Sequence, residues 1–389
     1  MTEDMFFDAL CQRLVHHRRS LHGIPELAYK ERQTSAYIRA ELEHLGFSPV
    51  SAGDGTGLWC ECGSQGPFVA LRADMDGICV LEETGLPYAS RYPGLMHACG
   101  HDGHMAMLLG AAHFFAQYPP NRIRVRFLFQ PAEEQFGGAQ DMIQAGALEG
   151  VRLIFGAHLW TWLDTGCVVS CPGPLMAQTK RVSWTLRSRG GHAALPRESG
   201  DAVVASALLV NALQTVVSRN VNLPKDSAVL TIGELHAGSA PNVIAARAEL
   251  RGTLRALSEE TMEHLCACVR TISSGVAQTA SCAIDVSFSG GYPAVINDPM
   301  AFSLLQQAVP ELQLAVPVMA GEDFSYYLQQ VPGCFFFVGA GCPSVPVEKR
   351  AHHHEPTFTF DENALTTGLS VWVRLVRHLD AGLPLWEAQ

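Results

Sequence analysis

The stretch Phe68-Val69-Ala70-Leu71-Arg72-Ala73-Asp74-Met75-Asp76 is apolar through most of its length and then stops in two carboxylates. An apolar run of this length reads as a strand buried on both faces, as in a parallel sheet covered by helices. Polar residues at its end fall where α/β proteins build sites, outside the carboxyl ends of the strands. Working outward, Ile123 to Gln130 is a second short strand that halts at Pro131, and Ala132-Glu133-Glu134 then places adjacent carboxylates at its end. Ile154 to Trp160 repeats the arrangement with His158 at the close. Helical spacing marks Phe6 to His16, Glu31 to Gly46 and Met105 to Phe115. Strands alternating with helices in this way predict an α/β fold with a mainly parallel sheet.

Composition shifts near Cys171-Pro172-Gly173-Pro174, and the following order is strand, helix, strand, strand, helix, strand, ending at Ser289. That is the β-α-β-β-α-β order of a split βαβ sandwich, an independent module of about a hundred residues. After Gly290-Gly291-Tyr292-Pro293 the first pattern returns, with a helix from Pro299, a buried strand Cys334 to Val338 and a last helix Glu362 to Leu379. The expected domains are therefore 1–173 with 293–389, and an inserted domain 174–292.

At 389 residues the chain has ample core for two domains. Its formal charge of -11, spread along the chain, argues against nucleic acid or an anionic membrane as partner. The twelve cysteines are scattered, largely in apolar contexts, and read as reduced core residues. The amino terminus has no basic and apolar leader pattern, and no uninterrupted apolar run reaches the length of a membrane span, so the expected location is cytoplasmic.

The chemistry concentrates in His97-Ala98-Cys99-Gly100-His101-Asp102-Gly103-His104, one thiol and three imidazoles in eight residues. Gly100 and Gly103 suit turns that need positive φ and so let these side chains converge. A metal needs about four ligands, and hydrolytic sites often use two metals. The candidates are Cys99, His101, Glu134, His158 and one of the run His352-His353-His354. If the backbone at Glu133-Glu134 is extended, only one of the two points at the metals and the other is free to act as base. His104, opening a helix, is as suited to capping or packing as to ligation. His16, His17, His22, His44, His113, His264 and His378 are expected on the surface.

These blocks, in this order, resemble the M20 peptidase clan, in the branch of hippurate hydrolases, N-acyl-amino-acid aminoacylases and auxin-conjugate hydrolases. The resemblance is carried by His17-Arg18-Arg19-Ser20-Leu21-His22 to Pro25-Glu26-Leu27, Arg72-Ala73-Asp74-Met75-Asp76, Met96 to His104 and Phe129-Gln130-Pro131-Ala132-Glu133-Glu134. It continues in Gly156-Ala157-His158, Gly190-Gly191-His192-Ala193-Ala194, Gly321-Glu322-Asp323-Phe324-Ser325 and His354-Glu355-Pro356. It implies a zinc-peptidase-like catalytic domain with an inserted ferredoxin-like βαββαβ lid that also dimerises. It further implies two divalent ions (Zn, Mn, Co or Ni) held by Cys99, His101, Glu134, His158 and His354, the last fixed by the register of Pro356.

By the same resemblance Glu133 is the catalytic base, Asp74 orients a metal ligand, and His192 polarises the scissile carbonyl, often from the partner subunit. Asn242 and Arg255 grip the substrate carboxylate. The chain departs from the family at Ala245-Ala246, where Pro-Asp is common, at Pro196-Arg197, where Pro-His often stands, and at Gly77, where a larger residue is preferred. The activity implied is hydrolysis of the linear amide of an N-acyl amino acid by a cytoplasmic homodimer. A dipeptidase or aminopeptidase on the same site would need a carboxylate to hold the substrate ammonium. A non-catalytic binding protein would lack the base or a ligand, and every matching position is filled.

Overall fold

The computed structural model describes residues 3–52, 55–135, 137–222 and 226–382. In chain order, helices α1 (Glu3–His22) and α2 (Arg32–His44) precede strands β1 (Val50–Ala52), β2 (Gly57–Cys62) and β3 (Phe68–Asp74). Helix α3 (His101–Gln117), β4 (Arg124–Gln130), β5 (Val151–Asp164) and β6 (Val168–Ser170) follow. Next come β7 (Gln178–Arg187), α4 (Ala202–Leu213), β8 (Ala228–Ala237), β9 (Arg247–Ala256), α5 (Glu259–Thr279) and β10 (Ala283–Ser289). The chain closes with α6 (Pro299–Ala308), β11 (Gln313–Leu314), β12 (Gly333–Gly341) and α7 (Asn363–Ala381).

Two compact units result: Met1–Gly173 with Ile296–Val316 and Asp323–Gln389, and Pro174–Val295 with Pro317–Glu322. The smaller unit therefore also takes in 293–295 and 317–322, which the sequence reading assigned to the larger. The short segment is drawn there by backbone pairing: Val318 N–H bonds to Leu175 O, and Ala177 N–H to Ala320 O.

The larger unit is an eight-stranded sheet in the order β1-β2-β4-β3-β5-β12-β6-β11. Its centre, β4-β3-β5-β12, is parallel, while β2 and β6 run against their inner neighbours. Every residue of β3 is buried, as its apolar sequence requires. Helix α3 is apolar around its circumference, and residues 101 to 115 are all buried, because it packs on β3 with α1 and α7 against its other sides. Gly103 permits that approach: a Cβ there would sit 2.4 Å from Leu159 Cδ1 and 2.8 Å from Phe360 Cζ. Of the two glycines expected at positive φ, Gly100 has it (92°), whereas Gly103 is an ordinary helical residue selected for closeness.

The smaller unit is a four-stranded antiparallel sheet in the order β8-β9-β7-β10, with α4 and α5 packed against it. This is the split βαβ sandwich. The third strand of the predicted order, read from sequence as one run over Val243 to Leu257, is broken at Ala245-Ala246: Val243–Ile244 pairs with Gly191–His192, and β9 begins at Arg247. By length and composition, Ala202–Asn220 is apolar enough to cross a membrane. Ala202, Ala205, Leu209, Leu213 and Val216 point into the core of this unit, leaving Val203, Val204 and Leu208 exposed.

Candidate metal centre

Three strand ends and two loops converge in the larger unit. Strand β5 pairs with β3 only as far as Gly156 opposite Arg72, and then runs eight residues further with β12 alone. His158 thus stands two residues past the last pair with β3, at the carboxyl edge of the parallel core, although it is mid-strand rather than at the predicted close. Its Nδ1 is 2.7 Å from the Leu159 carbonyl, so it carries the proton and Nε2 is left as a lone-pair donor, 3.5 Å from Cys99 Sγ. Burial and neighbouring imidazoles hold His158 well below the usual histidine range, hence neutral.

His101 opens α3, presented by the left-handed Gly100. Its Nδ1 lies 2.9 Å from the Asp76 carbonyl and 3.3 Å from the Asp76 carboxylate, while its Nε2 is buried with no hydrogen-bond partner. Burial opposes charge on this ring, yet Asp74, Asp76 and Glu134 push its pKa up to about 10. Positive charge near His101 Nε2 is therefore favoured by the carboxylates around it.

The Asp76 carboxylate also accepts the backbone N–H groups of Glu133 and Glu134, at 3.1 and 3.0 Å. Before them Ala132 holds a positive φ of 57°, uncommon for a residue with a side chain, and its N–H donates to Glu31 Oε1 at 2.9 Å. Glu133-Glu134 is a turn, so the condition of an extended backbone is not met and alternation does not separate them: one donor atom each of His101, Glu133 and Glu134 lies within 4.8 Å of the others. Cys99, Glu134 and His354 form another such group, and Cys99, His101 and His158 a third.

His354 has a φ of 70°, and its N–H donates to the Ala98 carbonyl at 2.8 Å, lacing its loop to the cysteine segment. Its Nε2 reaches Glu134 Oε1 at 3.1 Å. Of the other two histidines in the run, His353 bonds the Leu159 carbonyl and packs on Trp160 and Phe358, and His352 meets Trp162. Burial, then Glu134 and Glu133, push the Cys99 thiol well above its usual value. Burial pushes the Glu134 carboxyl up as well, but His354 and His101 prevail and hold it low. A divalent ion would supply the positive charge that turns the thiol into a ligand. The unpartnered His101 Nε2, the His158 Nε2 lone pair facing Cys99 Sγ and the surrounding carboxylates fit such ions.

Asp74 is placed differently from the expectation that it orients a ligand. The contact at the far nitrogen of His101 is made by Asp76, whereas Asp74 Oδ2 is 3.7 Å from His101 Nε2 itself. Asp74 is fixed by Arg72 Nη1 at 2.7 Å and His104 Nδ1 at 2.6 Å. Since His104 Nε2 accepts the Leu159 N–H at 2.9 Å, its proton sits on Nδ1, and both ring nitrogens are consumed within the protein. His104 is thus no ligand but the pin joining α3, β3 and β5. Asp76, Glu31 and Arg72 act through contacts to residues 57 to 251 positions away, which no local pattern in the sequence displays.

His192, Asn242 and Arg255 lie in the smaller unit. His192 is exposed and pairs with Val243, and the Asn242 carbonyl accepts the Ala193 N–H, so these two are adjacent. Arg255, half-buried on β9, donates from Nη1 to the Met319 carbonyl at 2.7 Å. Gly77 is explained locally: a Cβ would lie 2.9 Å from Pro25 Cβ, so a larger residue has no room. Several histidines expected on the surface are buried. His17, His22 and His113 are 2% exposed or less, with polar partners on other elements.

The chain matches Peptidase family M20/M25/M40 over residues 70–378. It is 38% identical over 361 residues to N-acetyl-L-cysteine deacetylase of Bacillus subtilis, covering 91% of this chain and 85% of the relative. It is 36% identical over 380 residues to N-acetyldiaminopimelate deacetylase of Lacticaseibacillus paracasei, covering 94% and 97%. A longer Rhodococcus jostii relative, named for a glutamate–cysteine ligase, is 40% identical over 374 residues; the match takes in 94% of this chain but 46% of that protein. Among solved structures, a Bacillus subtilis protein described as a dinuclear metal binding peptidase of the M20 family superposes with a TM-score of 0.82 at 32% identity, covering 95% of this chain and 98% of that one.

Proposed function

The chain belongs to peptidase family M20/M25/M40, and from that premise we propose that it hydrolyses the amide bond of N-acyl amino acids, releasing a carboxylic acid and a free amino acid. It is an amidohydrolase acting on linear amides, as relatives named deacetylases are. The observation that carries the reading is the convergence of Cys99, His101, Glu133, Glu134, His158 and His354 within overlapping groups of potential ligands. We assign two divalent ions to Cys99, His101, Glu134, His158 and His354, with Zn, Mn, Co or Ni all compatible with a thiolate, imidazole and carboxylate set.

When bound, such ions polarise the amide carbonyl and ease ionisation of a water. Glu133 takes the proton from that water and hands it to the leaving nitrogen. Asp76 holds Glu133 and Glu134 by their backbone N–H groups and orients His101 through Nδ1. Asp74 contributes its charge beside His101 Nε2. His192 is assigned the oxyanion, and Asn242 and Arg255 the substrate carboxylate, for which a guanidinium offers two parallel hydrogen bonds. Exposed Val203, Val204 and Leu208 on α4, beside the open edge strand β8, support a homodimer formed through the inserted unit, to which we assign a cytoplasmic location.

The test is turnover of N-acetyl, N-benzoyl and indoleacetyl amino acids by metal-loaded wild type and Glu133→Gln, with metal content measured in both. Acid release by the wild type and its loss in a variant that keeps its metal is expected. Turnover retained in the variant refutes the role of Glu133. Mixing inactive His192→Ala with inactive Glu133→Gln tests action across the dimer: activity returns if His192 serves the partner's site and the subunits exchange.

A further inference from the structure

We propose a second cation site, separate from the centre above, formed by His17, Glu41 and His113 on α1, α2 and α3, for a zinc-like divalent transition-metal ion. His17 Nδ1 is engaged by Tyr37 Oη at 2.8 Å, and His113 Nδ1 by Arg13 Nη1 at 3.1 Å. The remaining nitrogens, His17 Nε2 and His113 Nε2, are buried and have no hydrogen-bond partner. Their rings are 5.5 Å apart, and Glu41 Oε2 lies 3.7 Å from His113 Nε2. One donor atom from each of the three residues lies within 4.8 Å of the others.

Two unsatisfied imidazole nitrogens aimed at one carboxylate are costly to keep. Tyr37 can accept from His17 Nδ1–H, which leaves Nε2 with a free lone pair. Imidazole nitrogens with one carboxylate suit Zn²⁺, Ni²⁺, Co²⁺ or Cu²⁺ rather than Mg²⁺ or Ca²⁺. With metal–nitrogen bonds of about 2 Å the donors must draw together to about 3.3 Å, a movement the exposed rim of Glu41 allows. Burial and neighbouring positive groups hold His17 and His113 at about 3 and about 4, so protons do not occupy these nitrogens at neutral pH beyond the neutral tautomer.

Arg13 is the antagonist. Its N–H donates to His113 Nδ1 and so keeps the ring proton on Nε2, where it blocks a metal. Loading requires that proton to move to Nδ1 by exchange with solvent, and the exposed Arg13 to turn away; no net proton is released. A bound ion would tie together the three helices packed behind the sheet, including α3, which begins with His101.

The test is equilibrium dialysis of tag-free, full-length protein against Zn²⁺, with bound zinc counted per chain for wild type, Glu41→Gln, His17→Asn and Arg13→Met. Wild type should hold one more zinc than Glu41→Gln or His17→Asn, with this weaker site tightened about tenfold in Arg13→Met by removal of the opposing charge. Glu41→Gln keeps both histidines and replaces a partly exposed group, so it guards against a folding artefact in His17→Asn. Because the readout is a difference between variants, it does not depend on whether the main centre binds metal. Equal zinc in wild type and Glu41→Gln, with no effect of Arg13→Met, overturns the proposal and leaves a buried water as the occupant.

Discussion

Replacing His104 with alanine tests whether the polar pin beneath the metal centre is structural. In the wild type its Nδ1–H donates to buried Asp74 and its Nε2 accepts the buried Leu159 N–H. Alanine removes a hydrogen bond to a charged group, worth about 1.5 to 3 kcal/mol, and orphans a buried backbone donor at about 1 to 3 kcal/mol. Arg72 still holds the other oxygen of Asp74, so the carboxylate stays ionised and the loss is not compounded by its protonation. The metal-free protein should therefore lose about 2.5 to 6 kcal/mol in urea unfolding, with the slope of the transition unchanged. His104→Gln offers an amide donor and acceptor at similar separation and should recover part of the loss. Metal affinity should fall by about ten- to a hundredfold, as when an outer partner of a metal site is removed. A metal-free His104→Ala protein within about 1 kcal/mol of wild type would refute the reasoning, since neither hydrogen bond could then matter.

Glu31 is fully buried, and burial with nearby Asp76 raises its pKa to about 7. Its ionisation therefore penalises the fold increasingly from pH 4.5 to 7, so Glu31→Gln, which keeps the acceptor for Ala132 N–H, should stabilise the protein by about 1 to 3 kcal/mol at pH 8 and little at pH 4.5; urea unfolding at both pH values reads this, and an equal effect at both contradicts it. His22 is the opposite case: burial disfavours its charge, but Asp102 and Glu82 raise its pKa to about 9. That raised value gives stability fully present below pH 6.5 and lost as pH climbs through 9, about 3 kcal/mol in all. His22→Gln should flatten the stability profile of metal-free protein across that window, and an unaltered profile would show that the pair is idle. Cys99→Ser should weaken metal retention measured by dialysis, and unchanged stoichiometry and affinity would remove Cys99 from the ligand set.

Strand-end chemistry was legible because it rests on local pattern: β3, β4 and β5 announce themselves by apolar runs, and the polar residues that follow have nowhere to go but the carboxyl edge. The extent of β5 was not, since Thr161 to Asp164 is held by pairing with β12, almost two hundred positions away. Glu133 and Glu134 were found, but their turn depends on Glu31 and Asp76, and nothing near residue 132 in sequence reveals those carboxylates. Histidines on α1 and α3 looked like surface residues because helical spacing does not disclose a distant partner. His22 is buried by Asp102 and Glu82, which lie 80 and 60 positions away. His104 was set aside as a ligand from its place at a helix start, and the structure supplies the reason, since both its nitrogens are spoken for.

The overrun of β5 past β3 also sets a timetable for synthesis. Cys99, His101, Glu134 and His158 all emerge before the inserted unit begins, but β12, the strand that flanks β5 beyond Gly156 and Arg72 among the described residues, and His354 come from the last sixth of the chain. At roughly 5 to 20 residues per second, the ribosome spends about 10 to 40 s between His158 and His354. Throughout that interval β5 lacks its β12 neighbour while four of the five proposed metal ligands are already made. Chaperone engagement and premature capture of the wrong ion should both concentrate in that interval, well before the enzyme is complete.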